Sequence, residues 1–353
     1  MNNLSHAQAI LVSTEEYLKS DPSNVILCEG ISDGFYSTID LLSLKYPDQS
    51  YEIPCSENSM VGMALSASSY EVTTLVCLQR VEFALLAIEQ LVNNSAKNSF
   101  FTDSQRNSPC LFRFVIGRGW GQGPSHSQSL ETLFAQIPDI NVFMPVFPND
   151  SKLILSNFKS LHYPCISLEH RWTHYSFDTV ASMDNRALSS YVVTNGKDLT
   201  VVAYSYNVLL AKAVADEFEK LNVGIEVINL FNLSQINAEL IATSIAETRL
   251  LLILDLDKRS YSVSSEVLGQ LALKGLLGCL TRPPKRLSNH GIYCPSSPKL
   301  SADYYLRGAD IAQAACDLLD LDSYTKGTLL EKISALEQSV PSDVPNQTFS
   351  GPF

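Results

Sequence analysis

The chain has 353 residues, a net charge of −12 and a hydrophobic content of 45%. This length allows two domains of ordinary size, and the hydrophobic content lets each bury a sizeable core, which excludes a mainly disordered chain. The acidic balance argues against non-specific binding to nucleic acid and against docking on anionic membranes.

The sequence shows no sign of secretion or of membrane insertion. The first six residues, MNNLSH, lack a basic stretch before a long apolar core, so we expect no signal peptide. No apolar run reaches the roughly 18–20 residues that span a bilayer. The eight cysteines form no CxxC pair, and several lie in apolar runs such as residues 25–28. We therefore expect buried free thiols in the cytoplasm or, in a eukaryote, the mitochondrial matrix.

The first half of the chain alternates between strand and helix patterns, which predicts a parallel, doubly wound sheet. Helices are predicted at 5–19 with Ser5 as N-cap, at 62–69, 83–97 and 129–136, and from about 151 with a cap at 148–150. Strands are predicted at 25–28, 73–78, 111–116, 141–144 and 165–168.

The second half repeats this alternation after a polar stretch from about residue 177 to 197. Strands are predicted at 199–204, 224–230 and 250–254, and helices at 208–221, 238–245, 263–271 and 311–318. The chain is accordingly divided into a first domain (1–180), a linker (181–197), a second domain (198–325) and a tail (326–353). The segment after residue 340 has no periodicity, so we expect an extended arm or a disordered end.

A glycine-rich loop, residues 117–129 (GRGWGQGPSHSQS), follows the predicted strand at 111–116. Glycines let a backbone turn sharply and approach a ligand closely. His126 near the end of the loop can transfer protons close to neutral pH. Open α/β sheets place their sites at the carboxyl ends of strands, so this loop is the first candidate for a site.

Four segments, in this order, resemble the β subunit of the thiamine-diphosphate-dependent 2-oxo acid dehydrogenases. They are residues 52–57 (EIPCSE), 83–97 (FALLAIEQLVNNSAK), the loop and its continuation at 117–138, and 144–171. This decarboxylating component shares its two domains with transketolase. The resemblance implies an α/β fold of two doubly wound domains, an N-terminal transketolase-like pyrimidine-binding domain and a C-terminal transketolase-like domain.

The resemblance assigns the two catalytic roles to Glu57 and His126. A glutamate at the position of Glu57 exchanges a proton with N1′ of the cofactor's aminopyrimidine, which favours the imino form that takes the proton from thiazolium C2. The histidine at the position of His126 hydrogen-bonds the substrate carbonyl. The alternatives are structural: Glu57 as a charge that stabilises a helix N-terminus, and His126 as a loop residue satisfied by backbone carbonyls.

Three further residues are implied to lie at the cofactor. Phe83 matches an aromatic residue that lies against the aminopyrimidine, although a core phenylalanine would look the same. Cys55 occupies a position that is usually Ile or Leu in the family, and a plain core cysteine is the alternative. Glu29 matches a glutamate after the first strand that lies near the cofactor or only caps a turn.

Other polar residues carry weaker signals. Arg80 and Arg118 could bind an anionic group of the substrate, or they could be solvated charges. His162, His170 and His174 cluster in sequence without the carboxylate or thiolate spacing of a zinc site, so we interpret them as structural or surface residues.

The magnesium motif of the family, Gly-Asp-Gly, is missing; residues 32–34 read Ser-Asp-Gly. In the family this motif lies on the α subunit and holds Mg²⁺ on the cofactor's diphosphate. The resemblance therefore implies an α-type partner that holds Mg²⁺ and the diphosphate of a shared thiamine diphosphate, in an α2β2 heterotetramer. A lipoyl acyltransferase is a further implied partner.

The second domain departs from the family at residues 230–237 (LFNLSQIN) and 255–257 (DLD). We therefore consider three hypotheses. The first is a β subunit that passes an acyl group to a lipoyl arm after decarboxylation of a 2-oxo acid. The second is a stand-alone thiamine-dependent acyl or ketol transferase with a sugar or other carbonyl acceptor. The third, a non-catalytic paralogue, does not explain why Glu57 and His126 are both present.

Overall fold

The computed structural model describes residues 2–102, 110–117, 121–180, 186–256, 258–289 and 291–338. These residues form two α/β units, each built on its own sheet, together with a small two-stranded sheet. The predicted fold class, two α/β domains in sequence, is confirmed.

The first unit alternates strands and helices as predicted. Its strands are β1 (Asn2–Ser5), β2 (Val25–Cys28), β3 (Ser50–Glu52), β4 (Thr74–Leu78), β5 (Cys110–Ile116), β6 (Asn141–Phe143), β7 (Cys165–His170) and β8 (Phe177–Val180). Its α-helices are α1 (His6–Ser20), α2 (Leu42–Lys45), α3 (Glu57–Ser68), α4 (Val81–Ala84), α5 (Asn98–Phe101), α6 (Glu131–Ala135) and α7 (Pro148–Asn157).

Six of these strands form one parallel sheet in the order β3-β2-β4-β5-β7-β6. Every residue of β4 and β5 is buried, because helices cover both faces of a doubly wound sheet. Helices α1 and α7 pack on one face and α3 on the other. Ser5 caps α1 as predicted, since its hydroxyl accepts a hydrogen bond from the Gln8 N–H while the Gln8 side chain accepts one from the Ser5 N–H.

The stretch predicted as one helix over 83–97 is instead a succession of short turns. Helix α4 leads into a 3₁₀ turn (Leu85–Ala87) and then into a π-helix (Gln90–Ser95). The Ala96 N–H donates to the Leu91 carbonyl at 2.9 Å, the five-residue spacing of a π-helix. An apolar period does not distinguish these helix types, and π-helical turns often occur next to functional sites.

The predicted start of α7 was also wrong. Residues 148–150 do not precede α7 but form its first turn, with Pro148 at the first helical position. Proline is tolerated there because the first N–H groups of a helix have no partner within the helix. The Asp150 carboxylate accepts hydrogen bonds from the N–H groups of Val146 and Phe147 at 3.0 Å each.

The second unit is a mixed sheet in the order β13-β12-β10-β11-β9, in which β9 runs antiparallel to β11. Its strands are β9 (Tyr191–Thr194), β10 (Leu199–Ala203), β11 (Ile225–Asn229), β12 (Leu251–Leu254) and β13 (Lys285–Leu287). Its α-helices are α8 (Tyr206–Glu219), α9 (Ala238–Thr248), α10 (Val263–Leu273), α11 (Pro298–Ser301), α12 (Gly308–Leu319) and α13 (Ser323–Gln338).

Parts of the predicted linker and tail are folded. Strand β8, just before the linker, pairs antiparallel with β1, and β9, inside it, is the edge strand of the second sheet. Helix α13 overlaps the predicted tail and buries Leu329 and Ile333 in the hydrophobic core of the second unit. Its weak amphipathic pattern concealed it, because few of its described side chains are buried. Residues 339–353 lie outside the described residues.

His6 at the start of α1 is fully buried where α1 meets α7. Its Nε2 lies 2.6 Å from the Ser151 hydroxyl and its Nδ1 lies 3.3 Å from the Thr173 carbonyl. Burial, together with the neighbouring His174, lowers the pKa of His6 from 6.5 to about 4. The imidazole that connects the starts of α1 and α7 is therefore neutral near pH 7.

We expect this imidazole to make the first unit sensitive to acid. The folded pKa of His6 lies below its unfolded value. The contribution of neutral His6 to the free energy of unfolding is therefore present above pH 6.5 and is lost as the pH falls towards 4. The loss is about 2 kcal/mol of the unfolding free energy at pH 5. Urea unfolding followed by the fluorescence of buried Trp172 should show the gap between wild type and His6→Gln narrowing by that amount from pH 7 to pH 5. An unchanged gap contradicts the prediction, and His162→Gln is the matched control.

Candidate functional site

The predicted site residues of the first unit follow strands that lie side by side in the sheet. Glu29 follows β2, Phe83 follows β4, and the glycine-rich loop follows β5, in the spatial order β2-β4-β5. The carboxyl ends of parallel strands share one edge, so these segments meet there.

Glu52, from the first of the four matched segments, shapes the turn after β2. Its two carboxylate oxygens accept hydrogen bonds from the N–H groups of Gly30 and Ile31 at 2.8 Å each. Gly30 has a positive φ of 70°, which favours glycine. Glu52 thus stabilises the turn that precedes Ile31 and carries Glu29. Its place in the motif did not indicate this structural role.

Glu29 and Glu57 form a pair of buried carboxylates at this edge. Glu57 is the first residue of α3, and each side chain is only 7% exposed. Burial raises the pKa of Glu29, and the nearby charge of Glu57 raises it further, while a hydrogen bond from the Ser56 N–H opposes the rise. Among the described residues, Oε1 of Glu29 has no hydrogen-bond partner. A buried acceptor in this state is costly unless a ligand or a partner protein supplies a donor.

Phe83 and His126 are brought together by the fold. Their rings contact edge to face, with centroids 5.6 Å apart and planes at 80°. His126 directly follows a 3₁₀ turn (Gly123–Ser125), and both side chains are half-buried, so an imidazole and an aromatic face remain accessible.

The loop that carries His126 is fastened at its base by Arg80 and Glu82. Arg80 donates to the Gly117 carbonyl at 2.8 Å, and Glu82 accepts a hydrogen bond from the Gln128 N–H at 2.7 Å. The Gly117 N–H also donates to the Gln128 carbonyl at 3.4 Å. These bonds fix both ends of the loop to the segment that precedes Phe83.

Sequence reasoning missed this arrangement. Arg80 is only 3% exposed, so the interpretation of Arg80 as a solvated charge was wrong. Glu82 was not considered, although it directly precedes the matched segment that begins at Phe83. Burial raises the pKa of Glu82, whereas the Gln128 N–H, Arg80 and the nearby His126 oppose the rise. Glu82 therefore places a carboxyl group next to the histidine.

Contacts between the turn after β2 and the segment after β4 connect the two halves of the edge. The Tyr36 hydroxyl donates to the Gln79 carbonyl at 3.1 Å. A Cβ on Gly30 would lie 2.5 Å from Nε2 of Gln79, so the two segments approach each other closely here. The turn that carries Glu29 and the segment that leads into Phe83 are therefore in contact. We call this edge of the sheet, with Glu29, Glu57, Phe83 and His126, the rim.

The remaining predictions for single residues have mixed outcomes. Cys55 is exposed, so the alternative of a core cysteine was wrong. All eight cysteines are free thiols, and six of them are buried. Arg118 lies outside the described residues. His170 and His174 are buried and His162 lies 2.7 Å from the Ser99 hydroxyl, which confirms structural positions for the three histidines.

A buried ion pair in the sheet was also missed. Arg113 on β5 donates two hydrogen bonds to the Glu169 carboxylate on β7, at 2.7 and 2.8 Å. Nε2 of His174 lies 3.3 Å from the same carboxylate. The signal was present, since an arginine inside the buried run LFRFVI must find a counter-charge. This pair joins the two strands directly below the rim.

Other kinds of site find no support in the described part of the chain. No group of three or more His, Cys, Asp or Glu side chains there is placed to hold a metal ion. None of the described helices has the length and apolar character of a membrane span.

Comparison with known proteins identifies two domain types in the chain. Residues 3–172 match the transketolase pyrimidine binding domain, and residues 189–311 match the transketolase C-terminal domain. The chain belongs to the transketolase family. The first of these regions contains the whole rim from Glu29 to His126.

Curated relatives place this transketolase-family chain among β-type members, of which it is a divergent one. It is 25% identical over 325 residues to the 2-oxoisovalerate dehydrogenase subunit beta of Bacillus subtilis, with 89% of this chain and 98% of the relative covered. It is 25% identical to the acetoin:2,6-dichlorophenolindophenol oxidoreductase subunit beta of Cupriavidus necator, with coverage of 88% and 96%. It is 29% identical to a pyruvate dehydrogenase E1 component subunit beta of Gracilaria tenuistipitata, with coverage of 83% and 92%.

A solved structure of a split gene transketolase, an inactive beta4 tetramer, has the same fold. Its TM-score is 0.72 at 19% identity, with coverage of 91% of this chain and 99% of that chain. At this identity the likeness concerns the fold alone.

Proposed function

We propose that this chain is the β-type subunit of a thiamine-diphosphate-dependent enzyme that decarboxylates a 2-oxo acid and transfers the resulting acyl unit. In this role it supplies the aminopyrimidine half of the active site. The observation that carries the proposal is the position of Glu57, buried at the start of α3 beside Glu29 on the rim that holds Phe83 and His126.

The rim has the donor and acceptor groups that an aminopyrimidine requires. The ring would need a carboxylate at N1′, acceptors for its amino group and an apolar face. Glu57 would hold or release the proton at N1′, and the unpartnered Oε1 of Glu29 is a second buried acceptor. Phe83 would give a ring face and exposed Cys55 an apolar edge. The cofactor, when bound, supplies the carbanion chemistry at thiazolium C2.

His126 would act on the substrate rather than on the aminopyrimidine. Its loop is fastened at Gly117 and Gln128, so the imidazole is held at one position against Phe83. A positioned imidazole can donate a hydrogen bond to a substrate carbonyl oxygen, where negative charge develops.

An α-type partner would complete the site by holding Mg²⁺ and the diphosphate. The relatives described above are beta subunits, and the Gly-Asp-Gly motif is missing here. The outer side of α3 and of the turns after α4 also exposes apolar side chains: Met63 is 43%, Leu86 63% and Phe101 69% exposed. Exposed apolar groups so close to the candidate site are typical of a protein interface. An α2β2 heterotetramer is the assembly that we propose.

The split site gives a testable expectation about cofactor affinity. The chain purified alone should bind thiamine diphosphate at least about 100-fold more weakly than the complex with its α-type partner, a difference of about 2.7 kcal/mol. Calorimetry with and without Mg²⁺ measures both affinities. Tight Mg²⁺-dependent binding by the chain alone would contradict the shared site.

The acyl acceptor defines the second candidate function. The divergence at residues 230–237 and 255–257 favours a transferase that uses a sugar or another carbonyl acceptor without a lipoyl arm. Co-purification from the native source separates the two candidates: a lipoyl acyltransferase in the complex supports the first, and its absence together with ketol transfer supports the second. The free cysteines support a reducing compartment, the cytoplasm or the mitochondrial matrix.

A further inference from the structure

A cavity of about 460 Å³ lies between the two α/β units. The first unit lines it with the end of the glycine-rich loop, including Ser129, and with His170; the second unit lines it with Asn207, Lys258 and Tyr293, among others. Glu57 and His126 do not line it. We propose that this cavity binds a small phosphomonoester that carries a planar ring.

The charge of the lining favours an anion. The chain has 37 acidic and 25 basic residues, yet none of the described lining residues is acidic. Lys258 is exposed and, among the described residues, has no carboxylate within ion-pair distance. An ammonium group without a counter-charge at the edge of a concave site attracts phosphate.

The N-terminus of α8 opens into the same cavity. Tyr206 and Asn207, the first two residues of this 14-residue helix, both line it. Ser205 at the N-cap position makes no side-chain cap hydrogen bond and has a strained backbone, with φ 54° and ψ −142°. A helix N-terminus concentrates N–H donors and partial positive charge, which suits a phosphate group.

Ser129 provides an independent observation on the opposite wall. Its side chain is 7% exposed, its hydroxyl oxygen has no hydrogen-bond partner among the described residues, and it lines the cavity. A buried hydroxyl without a partner is unusual, and a ligand oxygen would satisfy it.

The aromatic lining favours a ring attached to the phosphate. His170 stacks on Tyr206 with centroids 5.1 Å apart and planes at 17°. Gly117 makes this possible, because a Cβ there would lie 2.4 Å from Nε2 of His170. Tyr293, 80% exposed, stands at the cavity where it can cover a bound ring.

The test uses the full chain and three probes: phenyl phosphate, inorganic phosphate and phenol. Calorimetry in the absence of Mg²⁺ and thiamine diphosphate should show saturable binding of phenyl phosphate, weaker binding of inorganic phosphate and none of phenol. Lys258→Gln should weaken phenyl phosphate binding at least about tenfold, since it removes the ammonium group that attracts the phosphate. Ser129→Ala should weaken it several-fold.

The matched control is Lys274→Gln, which removes an exposed lysine that pairs with Glu239 and does not line the cavity. This variant should bind phenyl phosphate like the wild type. Absence of saturable binding, equal losses in Lys274→Gln and Lys258→Gln, or binding that requires Mg²⁺ would each overturn the proposal. The outcome is independent of the proposed cofactor site, which is tested by Mg²⁺-dependent binding in the complex.

Discussion

Glu57→Gln is expected to lower hydrogen–deuterium exchange at thiazolium C2 at least about 100-fold in the assembled enzyme, because positioned acid–base groups contribute about 10²- to 10⁴-fold. Glutamine preserves the size of the side chain but cannot exchange a proton with N1′. Since Glu57 is buried at the start of α3, no solvated carboxylate can take its place. Exchange followed by NMR after rapid acid quench measures the effect directly.

The structural alternative for Glu57 predicts a different pattern. If the carboxylate only stabilises the N-terminus of α3, the substitution costs about 0.3–1 kcal/mol of unfolding free energy and leaves exchange intact. Glu89→Gln, which makes the same chemical change on an exposed neighbouring turn, is the matched control and should exchange normally. Normal exchange in Glu57→Gln would remove Glu57 from the chemistry.

His126→Ala is expected to lower kcat about tenfold to 100-fold, whereas the Kd for thiamine diphosphate changes by less than about threefold. The imidazole contacts Phe83 and is proposed to serve the substrate carbonyl, so its loss affects the reaction more than cofactor binding. Steady-state kinetics and cofactor titration on the same preparation give both values.

A purely structural role for His126 would give the opposite result. Loss of cofactor affinity with kcat retained would show that the histidine supports the pocket rather than the reaction. His162→Ala is the control, because this histidine pairs with Ser99 away from the rim. Glu82→Gln should reproduce part of the kcat loss, since it weakens the hydrogen bond that the Gln128 N–H donates to Glu82 at the end of the loop.

Much of the fold followed from local pattern. The apolar run of residues 25–28 and the capping pair Ser5 and Gln8 predicted β2 and the start of α1, because both depend on neighbours in sequence. The mixed second sheet and helix α13 did not follow in the same way. Strand β9 and the buried residues Leu329 and Ile333 of α13 acquire their partners from distant parts of the chain.

For the candidate site, the sequence by itself determined which residue types stand at the ends of successive strands: a glutamate at 29, another at 57, an aromatic at 83 and a histidine at 126. It could do so because the alternation of strands and helices forces those ends to one edge. Only the tertiary structure decided what each one touches. The unpartnered oxygen of Glu29 and the fastening of the loop by Arg80 and Glu82 depend on burial and on contacts between distant segments, which no local pattern encodes.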